Sequence, residues 1–151
     1  MKRTQTRLRL CIVLLSCNLI FIWGNSLLPG EVSGAISDWV KSLLALLFSG
    51  TPQTPMGGGL LRKIAHFTEF TSLGMCLAWL HGMLRKGKLQ PFLWGLLVAA
   101  VDETIQRFVP ERGPSIRDVC IDSAGVLTGM VLLWIGYHCF KKKSANANFG
   151  G

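Results

Sequence analysis

The stretch PFLWGLLVAAVDETIQRFV, residues 91–109, decides how this chain folds. It begins as an apolar run and carries polar side chains in its second half, namely Asp102, Glu103, Gln106 and Arg107. Its length is close to the roughly 20 residues with which a helix crosses the bilayer core. An ionisable group at that depth is costly unless it faces a protein interior or a water-filled cavity. The stretch therefore indicates a membrane helix that contributes to an internal polar site or ion-pair network.

Three further apolar stretches approach spanning length: residues 8–28, 64–84 and 116–140. In chain order these are the first, second and fourth stretches, and residues 91–109 are the third. Half of the 151 residues are hydrophobic, 16% are charged and the mean hydropathy is +0.41, which is too apolar for an ordinary soluble domain. We therefore predict an all-α membrane protein in which four transmembrane helices form a bundle. Its single membrane domain is expected over residues 1–143, followed by a short flexible tail over 144–151.

The distribution of Lys and Arg predicts the orientation, since cytoplasmic loops are enriched in these residues. Ten of the sixteen lie before or at the start of the first stretch, between the second and third, or after the fourth: Lys2, Arg3, Arg7, Arg9, Arg85, Lys86, Lys88, Lys141, Lys142 and Lys143. Both termini are therefore expected in the cytoplasm, with residues 29–63 and 110–115 outside. The net charge of +8 reflects this topology and an affinity for anionic membrane lipids, and we predict no nucleic-acid partner.

Residues 33–48 have the periodicity of an amphipathic helix. The apolar side of this helix consists of Ile36, Trp39, Val40, Leu43, Leu44 and Leu47. Because the segment is short for a span, we expect an extra helix on the outer side, either on the membrane surface or over the bundle. Residues 50–59 are rich in Gly and Pro and are predicted to form a flexible connecting loop.

The polar residues of the second, third and fourth stretches fall at the same depth, near the outer end of each predicted helix. A bundle that hides them from lipid must bring them together, so we predict one polar pocket that opens outward. The predicted ligand-binding residues are Lys63, His66, Glu69, Asp102, Glu103, Gln106, Arg112, Ser115, Asp118 and Asp122.

Helical spacing distinguishes the two adjacent carboxylates of the third stretch. Asp102 and Gln106 are four residues apart and share one side of their helix, so Asp102 is predicted to be central to the pocket. Glu103 points about 100° away from Asp102 around the helix. We therefore expect Glu103 to pair with Arg107, which is four residues further along the chain.

The loop before the fourth stretch and the start of that stretch also have predicted roles. Arg112 and Lys63 are expected at the mouth of the pocket, where they would hold a phosphate or a carboxylate. Ser115 is expected to cap the fourth helix. Gly125 and Gly129 form a small-xxx-small motif that lets a neighbouring helix come close, so this side of the helix is predicted to face inward.

Three blocks of the sequence form a specific pattern: KIAH at 63–66 with Gly74 downstream, DETIQ at 102–106, and RGPSIRD at 112–118 leading to Gly125 and Gly129. In this order and spacing they resemble the VanZ family of small bacterial membrane proteins, which is named for a member associated with teicoplanin resistance. The resemblance begins at NSLLPG, residues 25–30, and covers nearly all of the chain. It implies a multi-pass protein of the bacterial cytoplasmic membrane with an envelope-related role, and it supplies no established reaction. The sequence departs from the family pattern at Phe70 and Asp122, where the family has Tyr and Asn.

Three kinds of function are compatible with this pattern. The pocket could bind the polar head of an envelope component, such as a lipid-linked glycan precursor, an anionic lipid or a glycopeptide-related target. Alternatively, an intramembrane transferase or hydrolase could use His66 and Asp102 as acid and base. In the third alternative the charges only hold the bundle together, and the protein acts through partners. The near-balance of five positive and six negative charges around the pocket favours such a structural network: Arg62, Lys63, Arg107, Arg112 and Arg117 against Glu69, Asp102, Glu103, Glu111, Asp118 and Asp122.

No cofactor and no metal are predicted from the sequence. His66, Glu69, Asp102 and Asp118 would supply one nitrogen and three oxygens, but their spacing is not diagnostic of a metal site. The five cysteines are scattered and contain no CxxC pair, so they are expected to be free thiols.

Overall fold

A computed structural model describes residues 2–48 and 58–147 of the chain. These residues form five helices and no strand: α1 (Lys2–Ser26), α2 (Gly30–Phe48), α3 (Gly58–Met83), α4 (Gln90–Gln106) and α5 (Ile116–Ala147). The all-α prediction is confirmed, and the helix predicted over 33–48 corresponds to α2. Most of the predicted 50–59 loop lies outside the described residues. The same holds for residues 148–151 of the predicted tail, whereas 144–147 continue α5.

Two of the helices are long and apolar enough to cross a membrane, over Thr4–Ser26 and Ile116–Cys139. The mean hydropathy of these spans is 1.7 and 1.8. Polar residues lower the hydropathy of α3, and α4 is only 17 residues long, so length and composition alone do not identify either as a span. The two middle helices differ in this respect from α1 and α5 because they carry most of the polar side chains of the predicted pocket.

Glycine allows α3 and α5 to pack closely, and the predicted inward-facing side of α5 is confirmed. A Cβ atom on Gly125 would lie 2.6 Å from the Phe67 carbonyl oxygen, and one on Gly129 would collide with the Thr71 carbonyl oxygen. Gly74 makes the reciprocal approach to the backbone of Val126. Small residues of this kind let two helix backbones come together without a gap. The apolar core around this contact consists of Ile22, Phe70, Leu73, Leu77, Ala99 and Val126.

The first turn of α2 is attached to the loop between α4 and α5. The Gly30 amide donates to the Pro110 carbonyl oxygen at 3.2 Å, and the Glu31 amide donates to Glu111 Oε2 at 3.0 Å. A carboxylate at a helix N-terminus accepts from otherwise unpaired amides and complements the helix dipole. Glu111 adopts a positive φ of 61°, which turns the loop toward α2.

The apolar side of α2 is largely exposed beyond this attachment. Trp39 is 66% exposed and Leu47 is 69% exposed, and Ile36 and Leu43 are also exposed. The helix therefore does not use this side to cover the bundle, which was one of the two arrangements predicted for it. All five cysteines are free, as predicted.

Candidate functional site

Three helices each contribute one buried ionisable side chain to a common point. His66 of α3 is 4% exposed, and Asp102 of α4 and Asp122 of α5 are fully buried. His66 Nδ1 lies 3.6 Å from Asp122 Oδ1 and 3.9 Å from Asp102 Oδ2. The structure thus brings together polar groups from all three predicted helices, and we call these three residues the His66 cluster.

Gln106 connects this cluster to one further helix, α1, and to a second residue of α3. Its Nε2 donates to Asp102 Oδ2 at 2.9 Å and lies 3.3 Å from Ser26 Oγ of α1. Its Oε1 accepts a 2.8 Å hydrogen bond from Arg62 Nη2 of α3. The predicted alignment of Asp102 and Gln106 on one side of α4 is therefore confirmed, and the amide fixes the orientation of the carboxylate.

The outer end of α1 supplies polar groups that sequence reasoning did not include in the site. Asn25 Nδ2 donates to Glu69 Oε1 at 3.0 Å, and Ser26 is fully buried beside Gln106. The available signal was the position of Asn25 and Ser26 at the end of an apolar helix, at the same depth as the other polar residues. Glu69 consequently faces α1 and is not part of the His66 cluster.

The predicted pairing of Glu103 with Arg107 is wrong. Glu103 is 5% exposed, and its Oε2 accepts a 2.6 Å hydrogen bond from the Ser115 amide, whereas Arg107 is exposed. The physical reason is that the loop after α4 folds back over Glu103 and presents an unpaired amide at the start of α5. The Ser115 carbonyl oxygen accepts from the amides of Asp118 and Val119, so Ser115 stands at the beginning of α5 as predicted.

Arg112 lies inside the protein and not at the pocket mouth where it was predicted. Its residue exposure is 8%, and its Nε and Nη1 atoms have no hydrogen-bond partner among the described residues. Burial lowers the pKa of this guanidinium and Arg62 lowers it further, while Asp102, Glu69 and Glu103 act in the opposite direction. The turn at Glu111 directs Arg112 inward, a conformation that residue spacing does not specify.

Two cavities adjoin these residues. A cavity of about 120 Å³ is lined by Gly59, Arg62, Lys63, His66, Asp118 and Ile121. The exposed Lys63 is therefore at the rim as predicted, and His66 connects the cavity to the cluster. A second cavity of about 370 Å³ lies around the end of α4 and is lined by Glu103, Thr104, Arg107, Phe108 and Pro114.

The near-balance of charges does not produce a network of salt bridges. Among the described residues, Lys41 and Asp38 on α2 form the one Lys or Arg pair with a carboxylate, at 2.5 Å. The remaining close contacts between ionisable groups are those of His66. The buried carboxylates of the site are instead partnered by amides or are left without a partner.

The fold and the site together define an all-helical protein with two helices of membrane-spanning character and a polar cluster enclosed where α3, α4 and α5 meet. The family model described as VanZ/LLP1 matches residues 9–137. The chain therefore belongs to the VanZ/LLP1 family, which confirms the resemblance found in the sequence. No curated protein and no solved structure matches the chain.

Proposed function

We propose that this VanZ/LLP1 protein crosses the bacterial cytoplasmic membrane four times, through α1, α3, α4 and α5, with both termini in the cytoplasm. Burial of His66, Asp102 and Glu103 supports this arrangement, because a helix that hides most of its ionisable groups from lipid can span despite a low hydropathy. The three basic clusters at one side support the orientation. The exposed apolar side of α2 then lies on the outer surface of the membrane.

We further propose that the cavity beside His66 binds the anionic head of an envelope lipid, either a lipid-linked glycan precursor or an anionic phospholipid. Arg62 and Lys63 line this cavity on α3. Its volume of about 120 Å³ is enough for a small charged group and too small for a whole saccharide chain. The rest of such a ligand would remain outside the cavity, against the apolar flanks of the helices.

The observation that carries this proposal is the buried guanidinium of Arg112, which does not line the cavity itself but is close enough to the cavity residue Arg62 for the two charges to interact. Two of its nitrogens have no partner among the described residues, although unsatisfied buried donors are rare and costly. An anionic ligand would satisfy them, since Arg presents a planar set of donors that matches phosphate and carboxylate. Family membership supports an associated role in resistance to glycopeptides or to envelope stress.

Lipid analysis of the purified protein tests this proposal. We expect one class of anionic lipid to copurify with the full chain in excess over its share of the membrane extract, as seen by native mass spectrometry. Arg112→Gln should lose that lipid while retaining the helix content. Arg117→Gln is the matched control, because Arg117 is exposed and lies only five residues further along the chain. Equal recovery from both variants, or a lipid composition equal to that of the extract, would contradict the proposal.

A second candidate function is an intramembrane transferase or hydrolase. The contacts of His66 with two carboxylates favour it, because a histidine oriented by a carboxylate is a common acid-base arrangement. This candidate predicts that His66→Ala retains the copurified lipid but no longer converts it. If the lipid recovered from that variant is chemically the same as that from the unaltered chain, the enzyme candidate is rejected.

A further inference from the structure

The His66 cluster has the composition and spacing of a metal site. It offers one imidazole nitrogen and two carboxylates from three different helices, and one ligand atom from each residue lies within 4.8 Å of the others. The set differs from the four residues considered from the sequence, because Glu69 is bound to Asn25 and Asp118 lines the cavity. Asp122 takes the place of both.

The polar atoms of the cluster are directed at one another and lack partners. His66 Nδ1, Asp102 Oδ1 and both carboxylate oxygens of Asp122 are buried without a hydrogen bond among the described residues. Their residues are all more than nine-tenths buried. Burying such groups unpaired is costly, and burying two neighbouring carboxylates without a counterion is more costly still.

No Lys or Arg of the described residues is paired directly with these carboxylates. The ion pairs within 4.0 Å of these two carboxylates involve His66 and neither Lys nor Arg. Arg62, the basic residue beside the cavity, donates to the neutral Gln106. Arg112 acts on Asp102 only from beyond ion-pair distance, so a bound cation would supply the direct positive partner that the two carboxylates lack, besides His66, among the described residues.

We propose that His66, Asp102 and Asp122 bind one divalent first-row transition-metal ion of the Zn²⁺ type. Zinc binds nitrogen and carboxylate oxygen at about 2.0–2.2 Å, so ligand atoms at neighbouring corners of a tetrahedron are about 3.4 Å apart. The two separations that involve His66, 3.6 and 3.9 Å, need to close by only a few tenths of an ångström, and the ligand atoms of the two carboxylates lie within 4.8 Å of each other. A mixed nitrogen and oxygen set suits this class of ion better than Ca²⁺ or Mg²⁺, which prefer oxygen alone.

The surroundings of the cluster fit this assignment. Gln106 donates to Asp102 Oδ2 at 2.9 Å, which is the kind of supporting hydrogen bond that orients a metal-ligating carboxylate. Three protein ligands leave at least one position for water or a ligand group, and His66 also lines the 120 Å³ cavity. This inference replaces the sequence-based expectation that no metal is bound. It does not depend on whether the cavity binds a lipid.

Zinc binding by the full chain in detergent, after treatment with a chelator, tests the inference. With ZnCl₂ in equilibrium dialysis, we expect one Zn²⁺ per chain. Asp122→Asn should weaken binding by more than the roughly 10- to 100-fold that loss of a supporting hydrogen bond causes, because it removes a ligand. Asp38→Asn makes the same chemical change on the exposed side of α2 and should bind zinc like the unaltered chain. With CoCl₂, the visible absorption of bound Co²⁺ should be lost in Asp122→Asn.

Loss of a zinc ligand can be distinguished from misfolding, because Asp122→Asn removes a buried charge while preserving the shape of the side chain. Its helix content, measured by circular dichroism, shows whether it is folded, and Gln106→Ala provides a second variant with an expected intermediate loss of about 10- to 100-fold. Zinc held by the scattered cysteines would be equal in all variants. Such equal binding, or the absence of stoichiometric binding in the unaltered chain, overturns the inference.

Discussion

Arg62 donates its 2.8 Å hydrogen bond to the side-chain oxygen of Gln106 and not to a carboxylate. The neutral amide thereby joins α3 to α4, while its nitrogen joins Asp102 and approaches Ser26 of α1. A single amide can do this because it is both a donor and an acceptor. The contact therefore links three helices, and the described residues place no Lys or Arg within 4.0 Å of the two carboxylates of the His66 cluster.

Removal of the Gln106 side chain should destabilise the bundle. Gln106→Ala leaves buried donors and acceptors unpaired on three helices, and we expect a loss of about 2 kcal/mol in the free energy of unfolding. The measurement is denaturation in mixed micelles, followed by circular dichroism. Thr104→Ala is the matched control, since Thr104 is exposed on the same helix and should change stability by no more than about 0.5 kcal/mol. Equal stability of the two variants would contradict the role assigned to Gln106.

The close approach of α3 and α5 predicts opposite effects for two glycines of α5. Gly129→Ala places a methyl group against the Thr71 carbonyl and should cost about 1–3 kcal/mol. Gly136→Ala meets nothing within 4 Å and should leave stability unchanged or raise it by about 0.5–1 kcal/mol, because alanine favours the helix. Thermal unfolding of both variants in the same detergent compares them directly. A stable Gly129→Ala protein would show that the two helices separate easily.

The attachment of α2 through Glu111 predicts a local effect. Glu111→Ala removes the acceptor for the Glu31 amide, and loss of such a cap typically costs about 0.5–2 kcal/mol. Hydrogen exchange measured by mass spectrometry should become faster in the first turns of α2 and remain unchanged in α3. Glu31→Gln serves as the control, because Glu31 contributes its backbone amide to this contact. If exchange in α2 is unaffected in Glu111→Ala, the helix is held by other contacts.

The proposed orientation predicts which loops are accessible from each side of the membrane. In a variant without native cysteines, Gly113→Cys should react with a membrane-impermeant maleimide added outside intact spheroplasts. Gly87→Cys should react only in inverted vesicles, because it lies in the basic loop assigned to the cytoplasm. Labelling of both positions from the same side would exclude the four-span topology, since α4 alone connects these two loops.

Apolar periodicity and the placement of polar residues were sufficient to predict the helices, the meeting of His66 with Asp102, and the inward side of α5. These features depend on spacing along a helix, which the sequence gives directly. The partners of Glu103 and Arg112 depend on how the loop from 107 to 115 folds back over α4. A positive φ at Glu111 determines the path of this loop. Neither the type of this residue nor its neighbours predict a positive φ there.

In the proposed four-span topology, the meeting of α3, α4 and α5 at the His66 cluster also has a consequence for how the chain would enter the membrane. Because α5 follows α3 and α4 in the chain, His66 and Asp102 leave the ribosome before Asp122, the residue with which they form the cluster. Insertion of α3 and α4 one at a time would expose these groups to hydrocarbon. A chain of this topology should therefore keep α3 and α4 at the insertion machinery and release them into the bilayer only together with α5.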